Sequence, residues 1–172
     1  KAIKCIDLSG VTIPSNVKSM NIECFRYSGR LTSVTIPSSV TSIGYQCFYC
    51  YIRLESVTMT SNLKSITNKC FCGCMSLKNV TIPSSVTSIG EYCFGYCDKL
   101  DSITISSNLR SIGNECFDGC YNLNNITIPS SVISIGNWCF CRCSKLSSIT
   151  IPKSVILIGS GCLLSNTVVH QN

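Results

Sequence analysis

The chain has 172 residues, of which 45% are apolar and 13% charged, and its 14 Lys/Arg against 8 Asp/Glu give a formal net charge of +6. That composition excludes a disordered chain. A surplus this small, with no basic run, excludes the footprint of a nucleic-acid binder. No apolar stretch approaches the ~18 residues of a membrane-spanning helix. The opening KAIKCIDLSG lacks the apolar centre of a signal peptide and an initiator Met, so the natural N-terminus is expected to lie elsewhere.

In chain order, residues 1–10 fit the tail of a repeat unit, with Cys5 and Leu8 in their columns. Seven tetrads of the V-T-I-P type then begin at Val11, Val34, Val57, Val80, Ile103, Ile126 and Ile149, each 23 residues after the last. Cys-Phe recurs at the same interval from Cys24 to Cys139, and Cys162 keeps the beat with Leu163 in place of Phe. Counting Val34 as position 1, the apolar columns stand at positions 1, 3, 7, 10, 15 and 21.

Within each unit L-x-S-V-T-I alternates and is rich in β-branched residues, which predicts a short strand. Pro37, Thr60 or Pro83 then stops it. After Gly44 or Gly90 the apolar residues fall at i, i+1 and i+4, the inward face of one or two helical turns. One unit buries too little to offset the entropy of ordering its own backbone, so the units must stack. The expected fold is α/β: a right-handed horseshoe solenoid, with a parallel sheet on the concave face and short helices on the convex face. Residues 1–172 are expected to form one such solenoid, of about seven units with partial units at its ends.

A longer period underlies the short one. Ser15-Asn16-Val17-Lys18, Ser61-Asn62-Leu63-Lys64 and Ser107-Asn108-Leu109-Arg110 alternate with Ser38-Ser39-Val40, Ser84-Ser85-Val86 and Ser130-Ser131-Val132, so the block that repeats is 46 residues long. Residues 162–172 begin to fit the pattern and then drift. Neither end reads as a polar cap, which leaves self-association through the ends open.

Cysteine is the compositional anomaly, at 15 residues. Cys24, Cys47, Cys70, Cys93, Cys116, Cys139 and Cys162 form the column at position 14, and Cys5, Cys74, Cys97, Cys120 and Cys143 that at position 18. Both read first as small buried side chains. A disulfide ladder and a metal site are the alternatives, against which stand the disulfide torsion and the focused geometry of a tetrahedral site. Cys50, Cys72 and Cys141 lie off these columns and are the candidates for exposed, reactive thiols.

Candidate contact residues fall in two groups. Thr35, Thr58, Thr81, Thr104 and Thr127 line the strands on the concave face of the expected horseshoe, which in solenoids is a common binding surface. Tyr92, Tyr96, Tyr121 and Trp138 lie on the predicted helix edge, and aromatic side chains are enriched in binding hot spots. Asn79 and Asn125 each begin an N-x-T sequon. No phosphate loop or carboxylate dyad is present, and the single histidine, His170, has no cysteine partner within a repeat. An enzyme, a cofactor and a resident metal are therefore not expected.

The string IPSSVTSIGEYCFGYCDKL, residues 82–100, resembles the BspA-like class of leucine-rich repeats, I-P-x-x-V-x-x-I-G-x-x-A-F-x-x-C-x-x-L. The likeness extends over nearly the whole chain, with Cys replacing the usual Ala before Phe in every unit. It implies a protein-binding module that acts in adhesion or recognition at the cell surface. The many unpaired thiols suggest the alternative of an intracellular scaffold that docks a partner enzyme.

Overall fold

The computed structural model describes residues 10–21, 30–60 and 62–171. Cys5, Leu8, Cys24 and Phe25 lie outside the described residues. Each unit forms one coil of a parallel β-solenoid, and each coil contributes two strands.

The first strands are Gly10–Thr12, Ser33–Ile36, Ser56–Met59, Asn79–Ile82, Ser102–Ile105 and Asn125–Ile126, hydrogen-bonded in that order as a six-stranded sheet. Pairing joins each residue to its equivalent in the next unit, as in Val34↔Val57 and Thr35↔Thr58. Alternation sends Val34 and Ile36 inward and leaves Ser33 and Thr35 in solvent. After Pro37 the chain makes a tight turn, closed by Val40 N–H donating to the Pro37 carbonyl at 3.0 Å.

The second strands are two residues long. Ser65–Ile66, Ser88–Ile89, Ser111–Ile112, Ser134–Ile135 and Leu157–Ile158 make a five-stranded parallel sheet, and Ser19–Met20 pairs with Ser42–Ile43. The sequence does not announce this sheet, because a two-residue Ser-Ile step shows no alternation.

The expected helices are absent: the described residues contain no helix, and the fold is all-β rather than α/β. Where helical turns were predicted the backbone runs through linked turns. Position 13 is left-handed in Gln46, Lys69, Tyr92, Glu115 and Trp138, with φ between 51° and 55°. Position 17 is left-handed in Cys50, Tyr96 and Arg142, and in Gly73 and Gly119. A right-handed helix cannot continue through a left-handed residue at every fourth place.

The hydrogen bonds show what replaces it. Lys69, Phe71 and Gly73 donate to the carbonyls of Glu91, Cys93 and Gly95 in the next coil, at 2.8–2.9 Å. The intervening Cys70, Cys72 and Cys74 donate back three residues, to Thr67, Lys69 and Phe71. Alternate N–H groups thus bond along the stack and around the coil. A helix is about 10–12 Å across with its side chains, whereas coils joined by ladder bonds repeat at about 4.8 Å. Helices would force the coils apart on this side and break the ladder.

The inward side chains form one cluster from Ile13 to Cys162. Its axis is the phenylalanine column. Phe48, Phe71, Phe94, Phe117 and Phe140 stack with centroids 5.1–5.7 Å apart and planes within 5° of parallel. Leu31, Leu54, Leu77, Leu100 and Leu123 are fully buried beside the strands.

Glycine at position 11 lets adjacent backbones approach. A Cβ on Gly113 would lie 2.6 Å from Glu91 N and Gly90 C. Thr67 stands in this column, with its hydroxyl bonded to the carbonyls of Ile43 and Gly44 at 3.1 and 3.0 Å. The drift of residues 162–172 has a structural form. Val168–Gln171 pairs with Ser148–Ile151 at an offset of 20 residues, as in Ser148↔Val168, so this coil is three residues shorter than the rest.

Candidate interaction surfaces

The outer face of the six-stranded sheet is flat and uncharged. Thr35, Thr58, Thr81, Thr104 and Thr127 are all exposed on it. Their neighbours Asn79 and Asn125 are exposed too, and Ser102 donates to Asn79 Oδ1 at 2.8 Å. The charged side chains gather at its margin, where Lys78 pairs with Glu55 at 2.9 Å and holds that carboxyl below its usual range.

The turn face carries the aromatic residues, and the structure divides them. Tyr92 and Tyr96 are half-buried and tied to neighbouring coils. The Tyr92 hydroxyl donates to the Glu115 carboxylate, which pushes its pKa up to about 12, and the Lys69 ammonium lies 5.4 Å from the ring centroid. Tyr96 accepts from Arg142 Nη2 at 2.7 Å, and the guanidinium lies 5.0 Å from its ring centroid. Arg142 also forks onto Asp118, a residue only 1% exposed. Gly119 lies directly beneath the Tyr96 ring, where a Cβ would come within 2.9 Å.

Tyr121 and Trp138 stay open, at 40% and 51% exposure, as do Tyr45 and Tyr49 at 40% and 44%. The sequence could not divide the aromatics in this way, because the partners that hold Tyr92 and Tyr96 stand one and two coils away.

The cysteine columns face the core. Cys47, Cys70, Cys93, Cys116, Cys139 and Cys162 are buried at position 14. At position 18 each thiol donates to a phenylalanine carbonyl of the preceding coil: Cys74 to Phe48, Cys97 to Phe71, Cys120 to Phe94 and Cys143 to Phe117, at 3.1–3.3 Å. Cysteine there is a hydrogen-bond donor as well as a packing group. Desolvation raises these thiols above their ordinary range, Cys143 to about 12.

Of the three off-column cysteines, Cys50 is exposed and Cys141 partly exposed. Cys72 corrects the expectation of an open thiol: it is 7% exposed, and burial pushes it up to about 11. Among the described residues no group of three or more His, Cys, Asp or Glu is placed to hold a metal. Nor is any described helix long and apolar enough to cross a membrane. His170 is exposed on the last strand, paired with Thr150.

Stacked coils of this length, with one leucine and one phenylalanine column, define a leucine-rich-repeat solenoid. The pattern described as the BspA type leucine rich repeat region matches in 6 copies, over residues 3–122 and 64–171. The chain belongs to that family. Its fold is similar to the leucine-rich repeat protein of T. pallidum, with a TM-score of 0.83 and 25% identity over 92% of this chain and 79% of that one. A leucine-rich cell surface protein from Faecalibacterium prausnitzii A2-165 is similar with a TM-score of 0.50 and 23% identity, over 96% of this chain and 69% of that one. No curated protein matches the chain.

Proposed function

We propose that this chain is a recognition module displayed at a cell surface, and that it holds a protein partner through the open aromatic residues of its turn face. The observation that carries this reading is the division among the aromatics. Tyr92 and Tyr96 spend their polar atoms on the scaffold, while Tyr45, Tyr49, Tyr121 and Trp138 offer 40–51% of their surface to solvent. Large, stiff aromatic side chains on a rigid support are what protein hot spots are made of. Membership in a family of repeat scaffolds agrees with binding rather than catalysis. The surface location is supported by the similar F. prausnitzii protein, which is a cell surface protein. Free thiols do not oppose an oxidising location here, because the described column thiols are buried, desolvation raises those at position 18, and thiolate is the reactive form.

The test is adherence of beads coated with the chain to cultured epithelial cells and to a panel of purified matrix proteins. Beads carrying the chain adhere above albumin-coated beads. Trp138→Ala with Tyr121→Ala weakens that binding by at least ~2 kcal/mol, about thirtyfold. Thr81→Ala with Thr104→Ala leaves it unchanged. Adherence no better than albumin, or equal loss in both pairs, refutes the reading.

A further inference from the structure

Charge is segregated around each coil. The described acidic residues, Glu55, Glu91, Asp98, Asp101, Glu115 and Asp118, all fall at positions 12–22 of their units. Positions 4–11, which form the second sheet and the turn before it, contain no Asp or Glu in any unit. Four described cations stand there: Lys153 at position 5, and Lys18, Lys64 and Arg110 in a single column at position 8, all exposed.

The backbone fixes that column. Thr41 N–H donates to the Lys18 carbonyl at 2.9 Å, Thr87 to Lys64 at 2.8 Å, Arg110 to Thr87 at 2.8 Å and Ile133 to Arg110 at 2.8 Å. The cations therefore occupy alternate rungs of one ladder, about 9.6 Å apart at twice the ~4.8 Å rung spacing. The residues between them keep the surface low. The hydroxyls of Thr41 and Thr87 are turned onto the Lys18 and Lys64 carbonyls at 3.2 and 3.1 Å. In the coils bearing Lys64 and Arg110, Asn62 and Asn108 donate to Ser38 and Ser84 of the preceding coil at 3.0 and 2.8 Å. Among the described residues none of the three cationic side chains in that column has an ion-pair partner. Elsewhere Lys78 pairs with Glu55 and Arg142 with Asp118, and Arg53, Lys99 and Lys145, also two rungs apart at position 20, stand among the acidic residues of positions 12–22, with Lys145 donating to Asn122.

We infer that Lys18, Lys64 and Arg110 form a docking row for a linear acidic polysaccharide, one cation meeting the sulfate or carboxylate groups of each successive disaccharide. A disaccharide is about as long as the two-rung step between cations, about 9.6 Å. Nucleic acid fits less well. Its phosphates recur at about 3.4 Å along a strand, and this row carries no aromatic platform for bases to stack on. An extended acidic peptide presents the side chains of one face about every 6.6 Å, out of step with the row. The inner rungs are flanked by Ser, Thr and Asn, and the exposed Ile133 follows Arg110. The row stands on the second sheet, away from the turns that carry Tyr49, Tyr121 and Trp138; Tyr45 lies against that sheet beside Ser65 and Ser88, and the row does not depend on it.

The probe is a size-defined heparin oligosaccharide, titrated into the chain by calorimetry over a range of salt. The triple variant Lys18→Gln, Lys64→Gln, Arg110→Gln is compared with Arg53→Gln, Lys99→Gln, Lys145→Gln, which removes equal charge at position 20. All six side chains are exposed, so both variants keep the fold, checked by circular dichroism. The row variant is expected to lose at least tenfold in affinity, and the dependence of log affinity on log salt flattens by about 2, the slope of three released counterions. The position-20 variant stays within twofold of the parent. Equal losses in the two variants reduce the effect to net charge and overturn the inference. So does undetectable binding to the parent chain, or polythymidylate or polyglutamate binding as tightly as the oligosaccharide.

Discussion

Replacing Gly113 by alanine is a measurement of how closely the coils are stacked. The added methyl would stand 2.6 Å from Glu91 N and Gly90 C and 2.8 Å from Gly90 O, all backbone atoms of the preceding coil. No rotamer change relieves that contact. Restoring an ordinary separation of about 3.4 Å moves the two backbones apart by roughly 0.8 Å. The bond from Gly113 N–H to the Ile89 carbonyl, now 2.8 Å, would stretch to roughly 3.6 Å, beyond hydrogen-bond reach. Overpacking of this kind costs about 1–3 kcal/mol, and the lost bond adds about 1 kcal/mol. Gly113→Ala is thus expected to destabilise the chain by about 2–4 kcal/mol. Gly95→Ala is the matched control. Its methyl meets only the Tyr92 ring at 3.2 Å and carbonyls at 3.5 and 3.6 Å. Reduced entropy of the unfolded chain offsets that contact, leaving a change within about 1 kcal/mol of zero. Urea melts followed by far-ultraviolet circular dichroism and by Trp138 fluorescence give both values. Coincident midpoints for the two variants would refute the close-stacking argument.

Other outcomes follow from the same contacts. Phe94→Ala interrupts the ring stack at its middle and is expected to cost about 3–5 kcal/mol, read from the same melts; a loss under 1 kcal/mol would mean the column is not the axis of the core. Thiol labelling at pH 8 is expected to modify Cys50 quickly and Cys141 more slowly, while Cys72 reacts only on unfolding, and peptide mapping after timed quenching separates them. Tyrosine absorbance should show a step near pH 12 from Tyr92, and Tyr92→Phe should remove it. Its folded pKa is raised to about 12 by the bond to Glu115, so the stability from this bond is full below the unfolded value of about 10 and is lost as pH rises through about 12.

The sequence discloses the stack because one period holds from Val11 to Cys162, and a column of equivalent residues can be inward only if the coils superpose. It conceals the absence of helices because Cys70-Phe71-x-x-Cys74 has inward residues at i, i+1 and i+4 in either conformation. The left-handed places are held by Gln46, Lys69, Tyr92, Glu115 and Trp138, side chains that carry no turn signal of their own. Gly73 and Gly119, at position 17, and Gly161, at position 13, are the glycines that hint at them among the described residues. The candidate surfaces were half legible. The threonine face follows from alternation alone. The fate of each aromatic depends on whether Glu115 or Arg142 reaches it from another coil, which is a fact of the stack and not of the local string.

The alternation of cationic and neutral rungs sets how this array can change length. Deleting the 23 residues from Val80 to Ser102 would preserve every apolar column yet bring Lys64 and Arg110 onto neighbouring rungs. Two like charges about 4.8 Å apart in water repel by roughly 1 kcal/mol. Deleting 46 residues keeps the charges two rungs apart. For its packing the array is counted in single coils, and for its charge in pairs, so viable length variants should differ by two coils at a time.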